Sequence, residues 1–100
     1  MTKYLLTKYT PALISISDIE SIYIESYGST HYLKVIGISG KEYDIGKYSE
    51  RSEAEKVFNK LVDILSKNES PIWNKLNTTI DLDTIQDVAL KKVNEEELNK

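Results

Sequence analysis

The chain contains no cysteine, so neither disulfides nor thiolate ligands can hold it together, and nothing in it requires an oxidising compartment. A cysteine nucleophile is excluded with them. His31 is the only histidine, and a metal site built around it would need ligands drawn almost wholly from carboxylates. Arginine is nearly as scarce. Arg51 is the only one, and the formal net charge is −3. Phosphate recognition depends on basic side chains, with Arg supplying bidentate contacts, so the composition argues against nucleic acid as the partner. Neither half of the chain is basic. No run of 18 apolar residues occurs, and MTKYLLTKYTPAL has no apolar stretch of signal-peptide length. The expectation is a cytoplasmic protein without a membrane partner.

What is present is ordinary for a globular chain: 40% hydrophobic and 29% charged residues over 100 positions. That length suits a single domain, 1–100, with its core in 12–67, a connector over 68–78 and a C-terminal segment over 79–100. SIYIES alternates as a strand does, with Ile22 and Ile24 on one face and Tyr23 and Glu25 on the other. YGSTH supplies a turn at Gly28. HYLKVIGIS follows, with Leu33 and Val35 on one face and Tyr32, Lys34, Ile36 and Ile38 on the other. After a turn at SGK, KEYDIGKY places Tyr43 and Ile45 opposite Glu42 and Asp44. The expectation is an antiparallel meander.

SEAEKVFNKLVDILSKN is the strongest helical signal, with Ala54, Val57, Phe58, Leu61, Val62 and Leu65 forming one stripe. Ser52 followed by Glu55 reads as a capping box at its start, and the end is expected near Lys67 and Asn68, before Pro71. Burying five large side chains of this stripe contributes on the order of 10 kcal/mol before entropy is subtracted. The helix should therefore cover the apolar face of the meander. Trp73, in the connector, reads as a peg into the core.

Residues 80–93 admit two readings. ISISDIESIYIES (14–26) and IDLDTIQDVALKK (80–92) share the apolar spacing of Ile14, Ile16, Ile19, Ile22 and Ile24, which suggests a second β-hairpin. Alternatively TTIDL is a strand and a helix begins after Asp83, since DVALKKVNEEEL is rich in helix formers. The fold class expected is α+β: a small antiparallel meander on one long amphipathic helix, with a C-terminal strand and helix, or a second hairpin.

Catalytic apparatus is not visible, and no cofactor is expected. Gly37, Gly40 and Gly46 do not make a phosphate-cradling loop, and neither GxSxG nor HExxH occurs. Asp81, Asp83 and Asp87 are spaced like the start of a calcium loop, but the central Gly and the terminal Glu are missing, so they read as a solvated acidic edge. The seven tyrosines all precede residue 50, against one Phe in the whole chain. Tyrosine gives large contact area at low entropic cost and keeps a polar tip, which suits a binding surface. The candidate partner-binding residues are Tyr23, Tyr27, Tyr32, Lys34, Ile36, Ile38 and Tyr48, on the sheet face opposite the helix or at its edge.

DIESIYIESYGSTHYLKVIGISGKEY resembles the opening of LytTR-type DNA-binding domains, with an IxYIES-like strand, a Gly-containing turn and a GKEY-like hairpin. The resemblance implies nucleic-acid binding, but the basic segments those domains use on DNA are absent, so no binding residue is carried over. The meander closed by GKYSERSEAEKVFNKLVDIL also resembles short proteins of phages and mobile elements in low-GC Gram-positive bacteria. That resemblance implies no activity; the aromatic-rich, weakly charged strand face, in a chain without visible catalytic groups, leads to a non-catalytic protein-binding module, an inhibitor of a host enzyme or defence complex being one form. The alternatives are a nucleic-acid-binding regulator that stacks bases on tyrosine beside Lys34, Lys41 and Lys47, and a homodimer that buries the same face.

Overall fold

Alternating apolar and polar residues through the first half of the chain form five successive strands: β1 (Tyr4–Thr7), β2 (Ala12–Ser15), β3 (Ile19–Tyr27), β4 (Thr30–Gly37) and β5 (Glu42–Tyr48). Helix α1 (Arg51–Ser66), strand β6 (Thr79–Asp81) and helix α2 (Leu82–Ala89) follow. The computed structural model describes residues 3–66 and 79–91. The expected end of the long helix at Lys67 and Asn68, and the expected peg at Trp73, lie outside the described residues.

The strands make two sheets, and the fold is α+β as expected. In the larger sheet β3, β4 and β5 form the antiparallel meander. Tyr27 and Thr30 face each other across Gly28 and Ser29, and Gly28 takes a φ of +60°, where a side chain would be strained. The smaller sheet has the order β2-β1-β6, with β1 antiparallel to β2 and parallel to β6. The N-terminal hairpin was not anticipated. Its loop is held by Thr7, buried, whose hydroxyl donates to the carbonyl of Thr10 at 2.7 Å.

Strand then helix is the outcome over the described part of this segment, 79–91, and the hairpin reading is overturned; Val93, expected on the helix stripe, lies outside the described residues. Asp81 supplies the reason: its carboxylate accepts from the backbone N–H of Asp83 at 2.9 Å and caps a helix that starts at Leu82, two residues sooner than the sequence suggested. Ile85, expected to begin an apolar stripe, is fully buried. The helix closes with Leu90 N–H on the Gln86 carbonyl and Lys91 N–H on the Val88 carbonyl, Lys91 itself standing at a φ of +61°.

Helix α1 begins one residue before the expected cap. The Glu50 carbonyl accepts from the N–H groups of Glu53 and Ala54, which puts Ser52 inside the first turn. The capping box is therefore absent, and Glu55 instead takes Arg51 one turn back, at 3.1 Å. The buried stripe is Ala54, Val57, Leu61 and Ile64, with Phe58 and Leu65 half-buried and Val62 exposed. Ile64 is buried where Val62 was expected, and the two lie on opposite flanks of α1. Arg51 reaches Ser26 of β3, whereas Tyr48 at the end of β5 reaches Gln86 of α2, so α2 lies on the β5 side of α1, the flank toward which Ile64 turns.

The core extends beyond 12–67. Leu5, Ile80, Leu82 and Ile85 join Leu33, Val35, Ile45, Val57 and Leu61 in one connected set of buried side chains.

Candidate functional site

The sheet face turned away from α1 carries most of the residues singled out from the sequence. Strand pairing fixes which they are, because directly opposed residues share a face: Tyr23 opposes Lys34, Glu25 opposes Tyr32, Lys34 opposes Asp44 and Ile36 opposes Glu42. Tyr23, Tyr27, Tyr32, Lys34 and Ile36 are thereby brought together. Ile38 is at the margin, since β4 ends at Gly37 and Ile38 sits in the turn, 66% exposed, with its N–H on the Asp18 carbonyl.

Tyr48 is not on this face. Between Leu33 and Lys34 of β4, strand β5 carries a bulge, so that Ile45 and Gly46 together fill the space opposite Leu33. The extra residue reverses the alternation. Tyr48 consequently points into the core, buried against α2, and its hydroxyl donates to Oε1 of Gln86. Burial pushes its phenol well above the usual tyrosine range. Gly46 is needed at the bulge, because a Cβ there would stand 2.4 Å from the Tyr48 hydroxyl.

Lys34 lies at the centre of the face, its side chain only 14% exposed. Its ammonium is 3.1 Å from Asp44 and 3.5 Å from Glu25, and lies 6.0 Å from the centroid of the Tyr27 ring. The hydrogen bond to Asp44 is the main reason its pKa is raised, against the opposing effect of burial. Around it two of the tyrosines are held by carboxylates. Tyr23 donates to Glu42 at 2.8 Å, and Tyr27 donates to Glu25; each bond raises the pKa of its phenol. Tyr27 and Tyr32 meet edge to face, 5.9 Å between centroids. The period of two within β3 and β5 placed Glu25, Glu42 and Asp44 on this face, but none of them was named as a candidate site residue.

His31 lies on the other side of the sheet. It opposes Ser26 on β3 and Tyr48 on β5, and its Nδ1 is 2.6 Å from the Ser26 hydroxyl, which also accepts from Arg51 at 3.1 Å. Among the described residues no carboxylate bonds the imidazole, so the third member that would orient a base is missing. Asp81 and Asp83 serve the start of α2, and both pair with Lys8, at 3.0 Å and 3.6 Å. The hydrogen bond to Asp81 is the chief reason the Lys8 pKa is raised.

Chemically, the face offers aromatic rings beside an ion cluster in which one ammonium, Lys34, meets two carboxylates, Glu25 and Asp44. Among the described residues, no helix is long and apolar enough to cross a membrane. Compared with known proteins, the chain matches no family model, no curated protein and no solved structure.

Proposed function

We propose that the chain is a non-catalytic protein-binding module that uses the face built from Tyr23, Tyr27, Tyr32, Lys34 and Ile36. One observation carries the reading: on the face turned away from α1, Tyr23 and Tyr27 are tied to carboxylates through their hydroxyls, and Tyr32 packs edge to face on Tyr27. A ring already held in place loses little rotamer freedom on association, which is the property that makes tyrosine effective in protein recognition. Rigid aromatic area beside polar groups that are already satisfied favours a protein surface as the partner. An inhibitor of a host enzyme or defence complex is one form such a module takes.

The nucleic-acid alternative is less well supported by this geometry. Lys34, the cation nearest the rings, is engaged by Asp44 and Glu25, and Glu42 adds a further negative charge to the same face. Lys47, opposite Tyr32, is the other lysine of this face, where the carboxylates of Glu25, Glu42 and Asp44 outnumber the two cations.

The test is capture from a low-GC Gram-positive lysate after nuclease treatment, with the tagged chain and its Tyr23→Ala/Tyr32→Ala variant as parallel baits. The reading expects one protein retained near stoichiometrically by the parent chain and lost with the variant, the variant's unfolding midpoint staying within a few degrees. The exposed Tyr27→Ala change serves as the second variant should the double one unfold. Equal retention by parent and variants, or retention abolished by nuclease, overturns it.

A further inference from the structure

Strand β3 is the longest edge of the larger sheet; a bulge at Glu20 marks its start and Glu20 and Glu25 are its charges, but from Ser21 to Tyr27 its pairing with β4 is regular. β5 carries a bulge and the charges of Glu42, Asp44 and Lys47, while the edges of the smaller sheet, β2 and β6, have four and three residues. Bulges, charges and shortness are the usual ways of blunting an edge. β3 runs for nine residues, IESIYIESY, and among the described residues no strand pairs with its outer side. The geometry of the two-residue loop says which groups are left over. Tyr27 and Thr30 flank the loop as a hydrogen-bonded pair, and bonded and non-bonded pairs then alternate along the hairpin. The N–H and C=O of Ser26, Ile24 and Ile22 therefore point away from β4.

A lip of apolar side chains stands above this edge. Arg51 of α1 touches Ser26 of β3, and Arg51, Glu55, Phe58, Val62 and Leu65 follow one another at helical spacing along that flank. α1 runs back against the direction of β3. From Ser26 to Ile22 is about 13 Å along the strand, and from Arg51 to Phe58 and Val62 about 10 and 16 Å along the helix, so Ile22 lies level with those two. Phe58, Leu65, Ile22 and Ile24 are only half-buried, and Val62 is 39% exposed, whereas Leu33 and Val35 on the neighbouring strand are fully buried. Among the described residues the apolar cover is thinner here than over β4.

We propose that the β3 edge pairs antiparallel with β3 of a second copy of the chain, joining two meanders into one six-stranded sheet. Self-pairing is specified by the residues themselves. A two-fold axis at Ile24 sets Ile24 against its counterpart and Ile22 against Ser26, so every outward group of the run is used. It sets Tyr23 against Glu25 and opposes no like charges. α1 contacts β3, β4 and β5 and so lies over β4. Across the paired edges the two β4 strands are about 14 Å apart, which brings two helices about 10 Å wide side by side with Phe58, Val62 and Leu65 of both copies in the gap. The tyrosine face is left open in this arrangement, so the pairing stands or falls independently of the proposed function.

Sedimentation equilibrium of the full chain from micromolar to millimolar concentration, together with residue-resolved amide exchange, tests the pairing. The expected result is a mass rising to twice that of the chain, with exchange at Ile22 and Ile24 slowing as concentration rises while Tyr23 and Glu25, bonded to β4, stay constant. Val62→Glu and Val62→Lys, at a position the monomer exposes, should each weaken association at least tenfold. A strict monomer at millimolar concentration overturns the proposal. So does a dimer whose Ile22 and Ile24 amides exchange independently of concentration, or one that both Val62 variants leave intact.

Discussion

The hydroxyl of Tyr48 donates to the side-chain oxygen of Gln86, joining the last residue of β5 to the middle of α2 within the core. The ring that makes this bond lies over Gly46. Gly46→Ala should therefore destabilise the protein by about 1–3 kcal/mol, because the added methyl must displace a buried, hydrogen-bonded ring. Denaturant unfolding measures it; a change below 0.5 kcal/mol would show that the ring can swing aside freely.

Alkaline pH should loosen the same contact. The Tyr48 phenol is raised above the ordinary tyrosine value of about 10, and the Lys34 ammonium above its own. For a raised pKa the folded state holds its proton longer than the unfolded chain does, so stability is full below the unfolded value and falls as pH climbs past about 10. Tyr48→Phe should cost about 1 kcal/mol at neutral pH through loss of the Gln86 bond, and should flatten the alkaline decline. Unfolding midpoints between pH 8 and 11.5 for parent and variant decide it, and parallel declines would refute the assignment to Tyr48.

The two helix starts should respond oppositely to alanine. Asp81 holds the N–H of Asp83, so Asp81→Ala removes a cap worth about 1 kcal/mol, the exposed Lys8 contact adding little. Ser52, one residue inside α1, should tolerate Ala within about 0.5 kcal/mol. Equal losses at the two positions would restore Ser52 as a cap.

Lys91 occupies the left-handed position that ends α2. Glycine adopts that backbone without strain, so Lys91→Gly should stabilise the chain by about 0.5–1 kcal/mol in a thermal or denaturant melt. A loss of stability would mean that the lysine side chain contributes more than the backbone costs.

What could be read in advance depended on how local the determining interaction is. The alternation that defines β3, β4 and the first half of β5, and the stripe of α1, arise from residues a few positions apart, and both are legible. The bulge at Ile45 and Gly46 depends on Leu33 in the neighbouring strand, so the reversal that takes Tyr48 off the tyrosine face and into the core is not. Val62 and Ile64 lie on opposite flanks of the α1 stripe, and which flank is buried depends on tertiary neighbours such as α2, distant in sequence. The carboxylates around Lys34 illustrate the same limit. Each appears as a solvated charge in its own strand, and only the register between strands makes them its partners.

The parallel pairing of β1 with β6 brings Leu5 opposite Ile80. The meander and α1 need only neighbours in sequence, so they can form early and fast, while the smaller sheet must wait for a contact that spans most of the chain. During synthesis the N-terminal hairpin emerges first yet has no third strand until residue 81 has left the ribosome. Late closure of that sheet around Ile80 is the step at which the newborn chain is most exposed to chaperones and to misassembly.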